Sequence, residues 1–128
     1  TQHDISVPVD AMPRFLREAA AAVEAAFPGT CASGFGHLGD GNIHFHVRAM
    51  ARAGKHGGAN WVNEEGVAVT RLVDDLVTAA GGSISAEHGI GQMKRDELAR
   101  LSPARAAAIR ALKAGLDPLG LMNPGKLV

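Results

Sequence analysis

The sequence predicts an α+β fold, an antiparallel sheet backed by helices, on three observations. Period-two alternation marks strands near residues 5–9 and on both sides of Gly39-Asp40-Gly41-Asn42. Apolar stripes at helical spacing mark residues 11–26 and 62–80. The segments follow one another as strand, helix, hairpin, helix, the order of an α+β domain. At 128 residues the chain holds a single domain, and a chain of that size buries roughly two thirds of its unfolded surface, enough for a core without staples.

Residues 5–9 include Pro8, which has no amide hydrogen to give a ladder and so belongs to an edge strand or a strand end. Asp10 stands where it can cap the next helix. Over 11–26, Phe15, Leu16, Ala19, Val23 and Ala26 recur at helical spacing, Pro13 falls in the first turn, and Phe27-Pro28-Gly29 ends the pattern. Between 30 and 48, two strand-like runs flank an Asp-Gly pair, which predicts a β-hairpin. Residues 51–59 read as a loop. Val62, Val69, Leu72, Val73, Leu76, Val77 and Ala80 stripe a second helix that Gly81-Gly82 ends. Residues 83–86 read as a short strand or extended segment, and Glu87-His88-Gly89-Ile90-Gly91 as a loop whose glycines allow close approach of a ligand. A short helix is expected over 93–101. Another opens with Ser102 as N-cap and Pro103 at its first position and ends at Gly115. The tail turns at Asp117-Pro118 and again at Asn123-Pro124-Gly125.

Thirteen basic and thirteen acidic residues balance, dispersed along the helices, and this argues against a nucleic-acid partner. Five aromatics are too few for a base-stacking platform. No apolar run approaches the ~20 residues that cross a bilayer, so no membrane span is expected. The lone cysteine, Cys31, has no internal partner, which points to a reducing cytoplasm, and its apolar neighbours suggest an inert core thiol. The chain opens on Thr1-Gln2 without an initiator methionine and is expected to be cut from something longer.

With Asp40 and Gly41 as a two-residue turn, Gly39 faces Asn42, Leu38 faces Ile43, and His37 faces His44. Alternation then sends Leu38, Ile43, Phe45 and Val47 to one side and His37, His44 and His46 to the other. Directly opposed Cβ atoms lie about 4.5 to 5.5 Å apart, which lets two imidazoles converge on one ion. Taken singly, each histidine has the alternative of a hydrogen-bonded or solvent-facing role. Three on one face beside a Gly-rich turn favour a metal. Glu87, in its glycine-flanked loop, is the candidate third ligand. Two imidazoles and a carboxylate leave coordination positions open, the pattern of catalytic sites, and suit zinc, manganese or iron(II). Gly34-Phe35-Gly36-His37-Leu38-Gly39 fits G-x-G-x-x-G, but a turn and a strand follow where a nucleotide site needs a helix, so the match carries no nucleotide.

Three stretches together resemble the C-terminal domain of FAD-linked oxidases, the group of D-lactate dehydrogenase, D-2-hydroxyglutarate dehydrogenase and the glycolate oxidase flavoprotein subunit. They are Gly36-His37-Leu38-Gly39-Asp40-Gly41-Asn42-Ile43-His44, Ser83-Ile84-Ser85-Ala86-Glu87-His88-Gly89-Ile90-Gly91, and Leu121-Met122-Asn123-Pro124-Gly125-Lys126. The resemblance spans essentially the whole chain. It implies His37, His44 and Glu87 as metal ligands, and His88 as the base that takes the proton of a 2-hydroxy acid while hydride passes to FAD. It implies substrate or cofactor contacts at His46, Asn123, Asn42 and Lys126. Where many relatives have asparagine this chain has His46, and where many have lysine it has Gln2, which leaves a dicarboxylate substrate unassigned. By the same resemblance, residues 1–128 form the substrate- and metal-side portion as a ferredoxin-like half-domain, with the C-terminal helices packing toward an absent FAD-binding domain. The small acid, that domain and an electron acceptor are then the partners, and the chain alone is expected to be catalytically silent. An exposed sheet edge or apolar patch would favour a homo-oligomer.

Two rivals remain: a stand-alone metal-binding or interaction module without redox chemistry, and a metal-dependent hydrolase in which His88 activates water. The pair Glu87-His88 favours the dehydrogenase over the module, because a storage site has no use for a histidine beside its ligand that binds no metal. The Asn-Pro-Gly-Lys tail and the whole-chain similarity count against the hydrolase.

Overall fold

A computed structural model describes residues 1–50 and 58–126. The elements run β1 (Gln2–Ser6), a 3-10 turn (Val9–Ala11), α1 (Met12–Ala26), β2 (Thr30–His37), β3 (Asn42–Ala49), α2 (Gly58–Ala79), α3 (Arg95–Leu101) and α4 (Pro103–Leu116). The chain divides into two compact units, Thr1–Glu87 and a second that begins at His88.

In the first unit the strands form an antiparallel sheet in the order β1-β3-β2. β3 therefore lies between two strands that precede it, the split βαβ arrangement of ferredoxin-like sheets. The expected α+β half-domain is what forms. β1 is an outer strand, as Pro8 requires, and an isolated antiparallel bridge, Ser6 to Ser83, touches its free side. Of the two forms expected for residues 83–86, a short strand or an extended segment, the second holds, with a single bridge at Ser83.

The core lies on one face of the sheet. Ile43, Phe45 and Val47 of β3 are fully buried with Ile5 of β1, beneath Phe15, Ala19 and Val23 of α1 and Val69, Val73 and Val77 of α2. Phe15 meets the edge of Phe45 with ring centroids 6.4 Å apart. α1 sits close on β2 because Gly34 has no side chain: a Cβ there would stand 2.4 Å from Leu16 Cδ2. At the start of α2, Trp61 is buried and Val62 is 46 % exposed, so the stripe begins one residue earlier than the spacing indicated.

The hairpin forms in a different register from the expected one. His37 pairs with Asn42, Gly36 with Ile43 and Phe35 with His44, around a four-residue connection at 38–41. Local hydrogen bonds explain the longer loop. The Asp40 amide donates to His37 O at 3.4 Å, the Asn42 amide to Asp40 Oδ1 at 3.0 Å, and the Val7 amide to Gly41 O at 3.0 Å. Gly41 adopts φ 78°, and a Cβ on it would lie 2.0 Å from Val7 O, so Gly41 is spent on docking the turn to β1 and does not close a two-residue turn. The slip is by two residues, so the faces of β3 are unchanged. Leu38 does leave the core side and is 75 % exposed in the turn.

Other local expectations are corrected. Asp10 makes no side-chain cap, because the 3-10 turn places it before the helix proper and Ala11 takes the N-cap position. Cys31 pairs with exposed Arg48, half-buried on the histidine side of the alternation, and is not a core thiol. The loop expected at 51–59 lies, for residues 51–57, outside the described residues. In the second unit, α3 starts at Arg95, and Ser102 occupies the N-cap of α4 without a side-chain cap bond. α4 runs one residue past Gly115. No helix among the described residues is long and apolar enough to cross a membrane.

Truncating Phe45, which is fully buried at the centre of the sheet, tests this core. Phe45→Ala is expected to lower the unfolding free energy by about 3–5 kcal/mol in urea titrations; a loss below about 1 kcal/mol would contradict the packing described.

Candidate metal centre

The face of the sheet turned from the helices is polar. By register, β1 contributes Gln2, Asp4 and Ser6, β3 contributes Asn42, His44 and His46, and β2 contributes Ser33, Phe35 and His37. Because Phe35, not His37, is paired with His44, the two histidines are diagonal neighbours, and their ring centroids lie 6.0 Å apart. That separation is within reach of long side chains on adjacent strands.

Glu87 reaches this face from the loop that follows the Ser83 bridge. His37 Nδ1 lies 4.0 Å from Glu87 Oε1, and His44 Nε2 lies 4.0 Å from Glu87 Oε2. The ligand atoms of His37, His44 and Glu87 all fall within 4.8 Å of one another. A tetrahedral ion with bonds near 2.0–2.1 Å needs ligand atoms roughly 3.3 Å apart, so each histidine must close on Glu87 by about 0.7 Å for the three to share one ion, with a coordination position left open. The His37 side chain is 58 % exposed, and that of His44, at 22 %, is the more enclosed of the two. Two imidazoles and a carboxylate fit a transition-metal ion better than a cation that asks for oxygen ligands alone.

Two residues not anticipated complete the surroundings. Phe35 lays its ring beside both His44 and His46, at centroid distances of 5.2 and 5.3 Å, yet is 63 % exposed. Asp4, only 5 % exposed, sits directly across from His44 and accepts the backbone amides of Ala86 at 3.2 Å and Glu87 at 2.8 Å on Oδ2. Alternation in Gln2-His3-Asp4-Ile5-Ser6 and in Ser33 to His37 marks both residues as members of the histidine face.

Of the other expected site residues, His46 is half-buried on this face, opposite Gln2. Asn42 is buried and lines a cavity of about 210 Å³ with Ser6, Asp40, Ser85, Ala86 and Glu87. Its Oδ1 takes no hydrogen bond among the described residues. His88 is exposed and opens the second unit, which also carries Asn123 and Lys126, both exposed.

Within that second unit the tail is organised by Asp117. This buried carboxylate receives the amides of Leu121 and Met122 at 2.9 Å each and the ammonium of Lys113, which also donates to Met122 O. Downstream, Asn123 adopts φ 51° and accepts the Lys126 amide, and Gln92 Nε2 donates to Gly125 O. The hydrogen bond from Lys113, and after it the amide of Met122, hold the Asp117 carboxyl below its ordinary value.

An α+β domain of the split βαβ type, with two imidazoles and a carboxylate converging on its polar face, is the class that the fold and the geometry define. The chain belongs to the family described as FAD linked oxidases, C-terminal domain, which matches residues 1–127. It is 42 % identical over 130 residues to a D-2-hydroxyglutarate dehydrogenase of Stutzerimonas stutzeri, covering 98 % of this chain and 26 % of that protein. A D-2-hydroxyglutarate dehydrogenase of Xanthomonas citri is 39 % identical over 127 residues, with the same coverage. A D-lactate dehydrogenase of Archaeoglobus fulgidus is 35 % identical over 94 residues, 73 % of this chain and 19 % of that protein. The chain thus spans about a quarter of the length of the first two of these relatives.

A carboxyl whose folded pKa is depressed stabilises the fold above its unfolded value, near 3.9, and that contribution disappears as pH falls through the folded value. Amide exchange at Leu121 and Met122 is therefore expected to accelerate on acidification below about pH 4, relative to the sheet. Asp117→Asn should already exchange fast at neutral pH; equal protection in the variant would exclude Asp117 as the anchor.

Proposed function

We propose that residues 1–128 form the substrate- and metal-side portion of a flavin-dependent 2-hydroxy-acid dehydrogenase of the D-lactate, D-2-hydroxyglutarate or glycolate type, its FAD held by a separate domain. The observation that carries this reading is the convergence of His37, His44 and Glu87 within 4.8 Å on the polar face of the sheet. The names of the relatives support the substrate class.

A divalent ion held by His37, His44 and Glu87 would supply Lewis acidity toward the hydroxyl of a 2-hydroxy acid, and a flavin held by a separate domain would supply a hydride acceptor. The chain's own residues do the rest. His37 and His44 contribute neutral imidazole donors from two strands of one ladder, and Glu87 contributes one negative charge, so the centre keeps a net positive charge toward an anionic carboxylate. Phe35 stands beside His44 and His46 as an apolar neighbour of the imidazoles. His88, next in the chain after Glu87, takes the hydroxyl proton on an imidazole nitrogen; histidine is the side chain best poised for that exchange near neutral pH. His46, Asn42, Asn123 and Lys126 are assigned to substrate or cofactor contacts. Gln2, opposite His46, presents an uncharged amide on this face.

Elemental mass spectrometry of the chain purified without chelator and then offered zinc or manganese tests the centre. Near-stoichiometric metal is expected in the wild type, with losses of at least about tenfold in occupancy for His37→Ala, His44→Ala and Glu87→Ala. Wild-type protein that takes up neither ion would remove the main support for the reading. In the complete flavoprotein, His88→Gln is expected to slow flavin reduction by a 2-hydroxy acid by about 10²–10⁴-fold while metal content is retained. Metal uptake without any flavin reduction would favour a metal-binding module instead.

A further inference from the structure

The metal reading leaves open how a loop carboxylate is held against two strand histidines. His37 and His44 are placed by paired strands, whose ladder fixes their Cβ positions. Glu87 has no such support. It lies in irregular backbone after an isolated bridge, where Ser6 and Ser83 exchange amide bonds of 2.9 and 2.8 Å. Three residues separate Ser83 from Glu87, room enough for the carboxylate to swing away from the imidazoles unless something grips the backbone near it.

Asp4 is that grip. It stands on β1 directly across from His44, on the face that carries the histidines, and it is buried. One of its oxygens, Oδ2, accepts the amides of both Ala86 and Glu87, so the last peptide groups before the carboxylate are tied to the strand beside the imidazole it must meet. Hydrogen bonds to an ionised acceptor are roughly twice as strong as neutral ones, and a buried anion with two converging N–H donors resists displacement. β1 itself is held to β3 from Gln2 to Ser6, so the chain of contacts runs from the ladder through Asp4 to the Glu87 backbone without a rotatable surface side chain in between.

We propose that Asp4 is a positioning residue for the metal centre: it presets the Glu87 carboxylate against His37 and His44 by gripping the Ala86 and Glu87 amides. The inference rests on the metal-centre reading above for its functional consequence. The positioning can also be observed without any metal.

The test compares the wild-type chain with Asp4→Ala and Asp4→Asn in two measurements, amide hydrogen exchange in metal-free protein and zinc affinity by calorimetry, with thermal unfolding as the control for global damage. Asp4→Ala is expected to expose the Glu87 amide to exchange at least about tenfold faster while the β1–β3 ladder stays protected. It should also weaken zinc binding about 10–100-fold, the usual cost of losing a group that orients a ligand. Asp4→Asn keeps an oxygen where both amides donate, and should restore Glu87 protection and most of the affinity, leaving a deficit under about tenfold from the lost charge. A purely structural role predicts instead that affinity follows thermal stability in both variants, with no selective rescue by asparagine. If Asp4→Ala does not fold, Asp4→Ser, whose shorter side chain cannot span to the loop, takes its place in both measurements. Unchanged Glu87 exchange in the truncated variant would overturn the proposal whatever zinc does. Wild-type protein that binds no zinc would instead sink the metal reading, and Asp4 would then stand or fall on the exchange data.

Discussion

Everything at the polar face depends on the alternation of β3. This strand is the central one, its backbone groups committed to ladders on both sides. A slip of one residue would drive His44 and His46 into the core and turn Ile43, Phe45 and Val47 out to water. Each of those three is essentially fully buried, and burial of such a side chain stabilises by about 1.5–3 kcal/mol. The hydrophobic core therefore enforces the histidine face. The imidazoles are presented because their neighbours in the chain must be buried.

The third donor obeys a different rule. No ladder or helix repeat carries Glu87 to the site; what carries it is a single bridge between Ser6 and Ser83, followed by two amide bonds to the buried Asp4 carboxylate. An edge strand thus serves as a mooring. Val7, the residue after β1, receives the turn at 38–41 through its amide, and β1 itself receives the Glu87 loop through Ser6 and Asp4. Both segments that border the histidines are tied to a strand whose sequence shows none of that role except a polar residue at every second position.

Much of the architecture could be read from periodicity. The stripe Phe15, Ala19, Val23 and the stripe Val69, Val73, Val77 are core in the structure, and the Asp-Gly pair does lie in a hairpin connection. What escaped the pattern was decided by local competition for hydrogen bonds. Asp40 turned its side chain onto the Asn42 amide and Gly41 gave its carbonyl to Val7, which lengthened the turn and moved His37 from opposite His44 to the diagonal. Asp10 and Ser102 both had cap chemistry at suitable places and neither side chain uses it. Cys31 looked apolar by its neighbours, yet strand alternation puts it on the face of His37, opposite Arg48.

The sequence by itself determined the secondary-structure order, the two faces of β3 and the candidate ligands His37, His44 and Glu87. These follow from side-chain period, turn chemistry and residue type, which are properties of short stretches of chain. Only the tertiary structure decided that His37 stands diagonal to His44, that Phe35 lies beside His44 and His46, and that Asp4 grips the amides at the base of Glu87. Asp4 and Glu87 are 83 residues apart, and nothing local in either segment encodes a hydrogen bond between them. It exists because the order β1-β3-β2 leaves one side of β1 open, and the chain returns there after α2 with two amides to satisfy.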